Sequence, residues 1–335
     1  MSNPQQNGSA RPAAFTVDGH IPLNMDRRIF PTELASQLHA QYASDLACLD
    51  EQPFKPVQDL VNKAFEDSRA YTANAILELE EASDLLDALF EEYARMGKLP
   101  LECQGAAQRA LLPLAKLAPS AQFVTVPLTA YNVYAGLSDL YARTGDFQKA
   151  MDAVNRCIEV APIEPAAYMM KSFVYARMQK IDEAMTLMKM ALEVCLDPSE
   201  RSLILCHLAN YYWSIDNMPV ACALFTVVVD GGERGTCFAQ RHLFCAEQHF
   251  GKDVLPTSTD EAYLAAELED IPTDIAPAAK KSLVTAADEF YAAGMMDFAT
   301  ECQNAIDQAK SKRAMHMDAP TGTAQRNADH RETEA

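Results

Sequence analysis

Between residues 131 and 196 the chain repeats itself with a period of 34 residues, so that Tyr141 is answered by Tyr175 and Ala150 by Ala184. A period of this length suits a unit of two helices that cannot bury its apolar face alone and must stack on copies of itself. The spacing therefore predicts an all-α fold, an α-solenoid of stacked antiparallel helical hairpins.

The first copy places Tyr134, Leu137, Tyr141, Gly145, Phe147, Ala150 and Pro162 in a fixed order of large, small and closing residues. Tyr168, Ser172, Tyr175, Ile181, Ala184 and Ala191 repeat it. Gly145 suits the turn between the two helices because it tolerates positive φ. Its counterpart is Gln179, which specifies that turn less well. A third copy follows an expansion around Asp197-Pro198, with Leu208, Ala209, Tyr212, Ala221 and Phe225 in the matching places and no glycine. A fainter one lies at 280–311, where Leu283, Ala287, Phe290, Gly294 and Ala299 keep the spacing. Upstream, Tyr93-Ala94-Arg95-Met96-Gly97 echoes Tyr141-Ala142-Arg143-Thr144-Gly145, which suggests a degenerate unit at 83–119.

These residues resemble the tetratricopeptide-repeat family over 131–235, and more faintly over 83–119 and 280–311. The resemblance covers a scaffold, because the pattern residues say how hairpins pack and not what they hold. It implies units at 131–164, 165–201 and 202–235, preceded by an acidic helical region at 31–130 and followed by helices at 236–313. Residues 1–30 and 314–335 are polar and are expected to be loose tails.

Helices are expected to begin at Pro31-Thr32-Glu33 and to cover 56–69, 72–97, 101–117, 236–250 and 258–270. Two β-branched stretches oppose the helical reading locally. Gln122-Phe123-Val124-Thr125-Val126 and Thr226-Val227-Val228-Val229 read as strands by propensity, but the second falls within a repeat helix, where packing overrides propensity.

The net charge of −19 is unevenly placed. Residues 45–97 hold 13 acidic and 4 basic side chains, and 253–301 hold 11 and 2, whereas 98–252 are nearly balanced with 15 and 14. The acidic flanks are either solvated faces or an attraction for a basic partner, and they disfavour nucleic acid and anionic membrane. Residues Met1 to Arg11 carry no apolar stretch of the signal-peptide kind, and no apolar run approaches the ~18 residues needed to span a bilayer. Nine scattered cysteines without paired spacing fit reduced thiols and a cytoplasmic protein.

The family resemblance implies a peptide or protein partner held on the concave face formed by the first helix of each hairpin. On this chain that face would carry Asn132, Asp139 and Arg143, then Met169, Phe173 and Arg177, then Leu203, Cys206, Asn210 and Trp213. Amide side chains there can hold a peptide backbone, and Trp213 can anchor an apolar side chain. The alternative is a groove filled by the chain's own helices in a structural or self-assembling protein. The clamp that some relatives close on an acidic C-terminus uses a Lys and an Asn on the first repeat and a Lys and an Arg on the third, where this chain has Ala135, Asp139, Leu203 and Cys206, so that subtype is not expected.

No phosphate-binding glycine loop, nucleophile elbow or paired-carboxylate motif occurs, so neither catalysis nor a cofactor is expected. Cys237, His242, Cys245 and His249 have zinc-ligating chemistry, which leaves a remote zinc-dependent alternative centred on 237–249. On one straight helix, however, residues 242 and 249 lie about 10 Å apart, too far to share an ion with the others. The simpler reading is a partly apolar helix face beside Phe238 and Phe250.

Overall fold

The computed structural model describes residues 53–68, 72–103, 105–115 and 122–310. The helix expected from Pro31 and the two tails lie outside these residues.

The described chain begins with a helical hairpin. Helix α1 (Lys55–Asp67) buries Val57, Val61 and Ala64, one stripe at intervals of four and three residues. Helix α2 (Thr72–Arg95) buries Ala75, Leu79, Ala82, Leu86 and Phe90. These are the helices expected over 56–69 and 72–97.

The expected helix at 101–117 is instead broken into several elements. Strand β1 (Lys98–Leu101) is followed by the short helix α3 (Ala106–Leu111) and one 3-10 turn at Leu112–Ala115. Pro100 and Pro113 lack a backbone N–H, and Gly105 takes φ +87°, so no single helix can run through. Strand β2 (Gln122–Thr125) pairs in parallel with β1, from Lys98 opposite Gln122 to Leu101 opposite Thr125. Here the β-branched propensity found a partner strand. Among the described residues of 83–119 there is therefore no hairpin of its own, because Tyr93 to Gly97 end a helix whose partner is α1.

Three hairpins follow: α4 (Leu128–Thr144) with α5 (Phe147–Val160), α6 (Pro165–Arg177) with α7 (Ile181–Val194), and α8 (Pro198–Ser214) with α9 (Met218–Gly231). Helix α5 also packs on α6, and α7 on α8, which is how the apolar faces are buried. The α1–α2 hairpin joins the same series, since both its helices pack on α4. The turns share one geometry. Gly145, Gln179 and Asp216 take φ values of +86°, +63° and +62°. The next N–H then reaches back to a tyrosine carbonyl, Asp146 to Tyr141, Lys180 to Tyr175 and Asn217 to Tyr212, each at 2.9 Å. The Thr226 to Val229 run is helical, with the Thr226 hydroxyl donating to the Cys222 carbonyl at 2.9 Å.

Helices α10 (Thr236–Phe250) and α11 (Thr259–Leu268) both pack on α9. The hairpin of α12 (Pro277–Ala292) and α13 (Met296–Ala309) has the same turn, with Gly294 at φ +76° and Met295 N–H donating to Phe290 at 2.8 Å. It does not continue the stack. Leu283, Phe298, Cys302 and Ile306 instead form a second core with Leu101, Cys103, Ala106 and Leu111 from the β1–α3 segment.

Polar contacts also hold that second core in place, among them the Ser282 hydroxyl donating to the Ala110 carbonyl. Glu301 accepts from the Ala107 N–H at the start of α3, at 3.3 Å. The buried Arg201 donates to the Ala309 carbonyl at 2.7 Å and to the Cys195 carbonyl at 3.0 Å. Arg201 thus ties the C-terminal end of α13 to the α7–α8 junction.

Candidate interaction face

The residues expected on the partner-binding face occupy three different environments. Asn132, Asp139 and Arg143 stand on α4 at least partly exposed, and Arg143 pairs with Asp139 one turn before it. Phe173 on α6 meets the His207 ring of α8 edge-on, with centroids 4.8 Å apart. Burial lowers the His207 pKa to about 4, so the imidazole is neutral. Arg177 is exposed and lies 5.9 Å from the centre of the Phe147 ring, toward the preceding hairpin.

Other expected residues face the chain itself. Met169, 7% exposed, belongs to the apolar core between the second and third hairpins. It is not on a solvent-facing surface, because neighbouring first helices approach closely enough to bury it. Cys206 is likewise buried, and a Cβ on Gly235 would lie 2.7 Å from its sulfur and 3.8 Å from Leu203 Cδ2. The turn into α10 therefore covers this part of α8. Asn210 remains half-buried.

Trp213 packs in an aromatic cluster. Its ring centroid lies 6.4 Å from that of Phe225, 5.7 Å from His242 and 6.0 Å from Phe250. His242 stacks on Phe225 at 4.9 Å, and its Nδ1 lies 3.0 Å from the Phe238 carbonyl oxygen. Burial lowers its pKa, as expected of an imidazole among aromatic rings. Cys237 is exposed, and no three His, Cys, Asp or Glu side chains converge on one point among the described residues. This helix face is aromatic in its contacts.

Two tyrosines of α4, seven residues apart, explain where α2 sits. The Tyr141 hydroxyl donates to Glu80 of α2, and Lys149 of α5 lies 3.4 Å from the same carboxylate and 5.0 Å from the Tyr141 ring centre. One step along, Tyr134 donates to Asp87 at 3.3 Å, while Arg156 pairs with Asp87 and lies 5.6 Å from the Tyr134 ring centre. Burial, then the adjacent carboxylates, push both tyrosine hydroxyls up, so they stay protonated and donate. Between the two sets lies a groove of about 410 Å³ lined also by Ser83, Asp84, Leu137 and Asp152.

The repeat pattern marks Tyr134 and Tyr141 only as large packing residues and pairs no acidic residue of α2 with them. The signal was present in the numbering: Glu80 and Asp87, Tyr134 and Tyr141, and Lys149 and Arg156 are each seven residues apart.

Residues 131–164, the α4–α5 unit, match the tetratricopeptide repeat family. No curated protein matches the chain. That matched unit is embedded in a series of stacked helical hairpins, and a tetratricopeptide repeat of this kind serves in general as part of a protein-interaction scaffold. Among the described residues no helix is long and apolar enough to cross a membrane.

Proposed function

We propose that this protein is a non-enzymatic scaffold that holds a protein or peptide partner along the first-helix face of α4, α6 and α8. The observation that carries this reading is the run of accessible side chains left there, Asn132, Asp139, Arg143, Phe173 and Asn210, after the apolar pattern residues have been consumed in packing. Amide, charged and aromatic groups in one run suit a peptide with an apolar anchor. Met169, Cys206 and Trp213 support the face from beneath and contribute little direct contact. A basic partner fits the carboxylates of α1 and α2 that remain exposed, among them Asp59, Glu66, Glu81 and Asp84. Eight free cysteines among the described residues, six of them buried, support a reducing, cytoplasmic setting.

The reading is tested by site-specific photocrosslinking from Phe173 and, as a control, from Met190, which is 41% exposed on the second helix of that hairpin. A partner captured from Phe173, not from Met190, and lost in an Asp139→Lys, Arg143→Glu variant is the expected result. Equal capture from both positions would remove the face from consideration.

Self-association is the second reading. It is favoured by Leu264 and Leu268, one turn apart on α11 and 54% and 77% exposed. Sedimentation of Leu264→Ser, Leu268→Ser beside the wild type decides it, since an unchanged molecular mass speaks against this patch.

A further inference from the structure

The geometry points to the α1–α2 hairpin as an electrostatically latched cap on the first repeat, selected by the seven-residue spacing of Glu80 and Asp87 and released by salt. Seven residues are about 10.5 Å along a helix, so carboxylates, tyrosines and cations on three neighbouring helices meet at two matched heights. At each height one carboxylate takes a tyrosine hydroxyl and a cation that also lies against the tyrosine ring.

The pattern belongs to this junction. One period later Tyr168 and Tyr175 recur on α6, but Glu183 and Met190 stand where Lys149 and Arg156 do. On the second repeat the cation over Tyr175 is instead Lys180 of the turn, at 5.6 Å, so cations on the second helix at these two positions belong to the first repeat, where the acidic helix docks.

Water and ions reach the latch. Lys149 and Glu80 are 56% and 39% exposed, and Arg156 and Asp87 are 42% and 50% exposed. Exposed pairs are weak singly and screened by salt, so their combined hold depends on ionic strength. The chain also has a place to turn. Gly97, just after α2, takes φ +71° with no atom within 4 Å of where a Cβ would stand, and β1 beyond it stays paired with β2. Loosening α2 about Gly97 leaves the small sheet intact and uncovers Tyr134, Leu137 and Tyr141.

Hydrogen exchange on the full-length protein tests this, with α7 as the internal reference. Raising sodium chloride from about 50 mM to about 500 mM shortens the screening length roughly threefold, and α2 amides should then exchange about tenfold faster relative to α7. Lys149→Glu with Arg156→Glu should do the same at low salt. Adding Glu80→Lys and Asp87→Lys to that variant should restore slow exchange, a rescue that a merely disrupted fold would not give. Salt moving α2 and α7 alike in the wild type, or a charge swap as fast as the reversed pair, would overturn the latch.

Discussion

The Ser138 hydroxyl lies 3.0 Å from the carbonyl oxygen of Ala150, donating across the first repeat from α4 to α5. One period later Ser172 makes the same bond to Ala184 at 2.8 Å. The third repeat has Ala209 in that place and closes without it. Both serines and both alanines are buried, so the small alanine lets the helices approach and the serine uses that approach. Replacing Ser138 by Ala should cost about 1 kcal/mol in urea unfolding, the net worth of a buried hydrogen bond. Ser172→Ala should cost more, since Ser172 also lies 3.2 Å from the hydroxyl of the half-buried Tyr211. Equal, negligible losses at both sites would show that the stitches do not hold the hairpins.

Gln179 takes the turn position that Gly145 holds one repeat earlier, at φ +63°. A side chain in the left-handed region is strained by about 1 kcal/mol, so Gln179→Gly should stabilise the protein by a few tenths to about 1 kcal/mol. Gly145→Ala should destabilise it by a similar amount. No atom lies within 4 Å of a Cβ at Gly145, so that cost is conformational and not steric. Thermal unfolding of the two variants checks the opposite signs.

Arg201 is 3% exposed, and burial lowers its pKa even though Asp274 lies 3.8 Å away. Its guanidinium serves two carbonyl oxygens that belong to different parts of the chain, those of Cys195 and Ala309. Arg201→Ala should destabilise the fold by about 2–4 kcal/mol, because both buried carbonyls lose a charged donor. Hydrogen exchange should rise most in α13. Protection of α13 unchanged from wild type would mean that the apolar contacts of Phe298, Cys302 and Ile306 suffice to hold that hairpin.

His207 gives a pH dependence with a definite sign. Its pKa falls from the ordinary 6.5 to about 4 on folding, through burial against Phe173, so the unfolded chain binds the extra proton first. Stability from this group is fully present above about pH 6.5 and is lost as the pH falls toward about 4, on the order of 3 kcal/mol in all. His207→Gln should flatten that limb of a stability curve measured by urea denaturation. An unaltered acid limb would assign the loss to carboxylates instead.

Much of the fold was legible because repeat positions are fixed by local contacts. Gly145, Ala150, Tyr175 and Ala184 do the same work in adjacent units, and self-similarity exposes such residues directly. The helical state of Thr226 to Val229 followed from register within a repeat, against their propensity. The binding face was legible only as a direction. Periodicity tells which side of α6 and α8 is inward, but not that Met169 is buried, that Cys206 lies under the turn at Gly235, or that Trp213 is held by Phe225, His242 and Phe250.

The sequence alone determined the hairpin, its period and its turns, since each depends on residues within about 34 positions of one another. The tertiary structure decided what each acidic flank does. Glu80 and Asp87 are ordinary helix-surface carboxylates until α2 is laid against α4 and α5, some seventy residues away. The C-terminal hairpin has repeat spacing, yet it docks on β1 and α3 instead of extending the stack. Pairings over such distances depend on shape and charge brought together only after the local units have formed, and no local spacing encodes them.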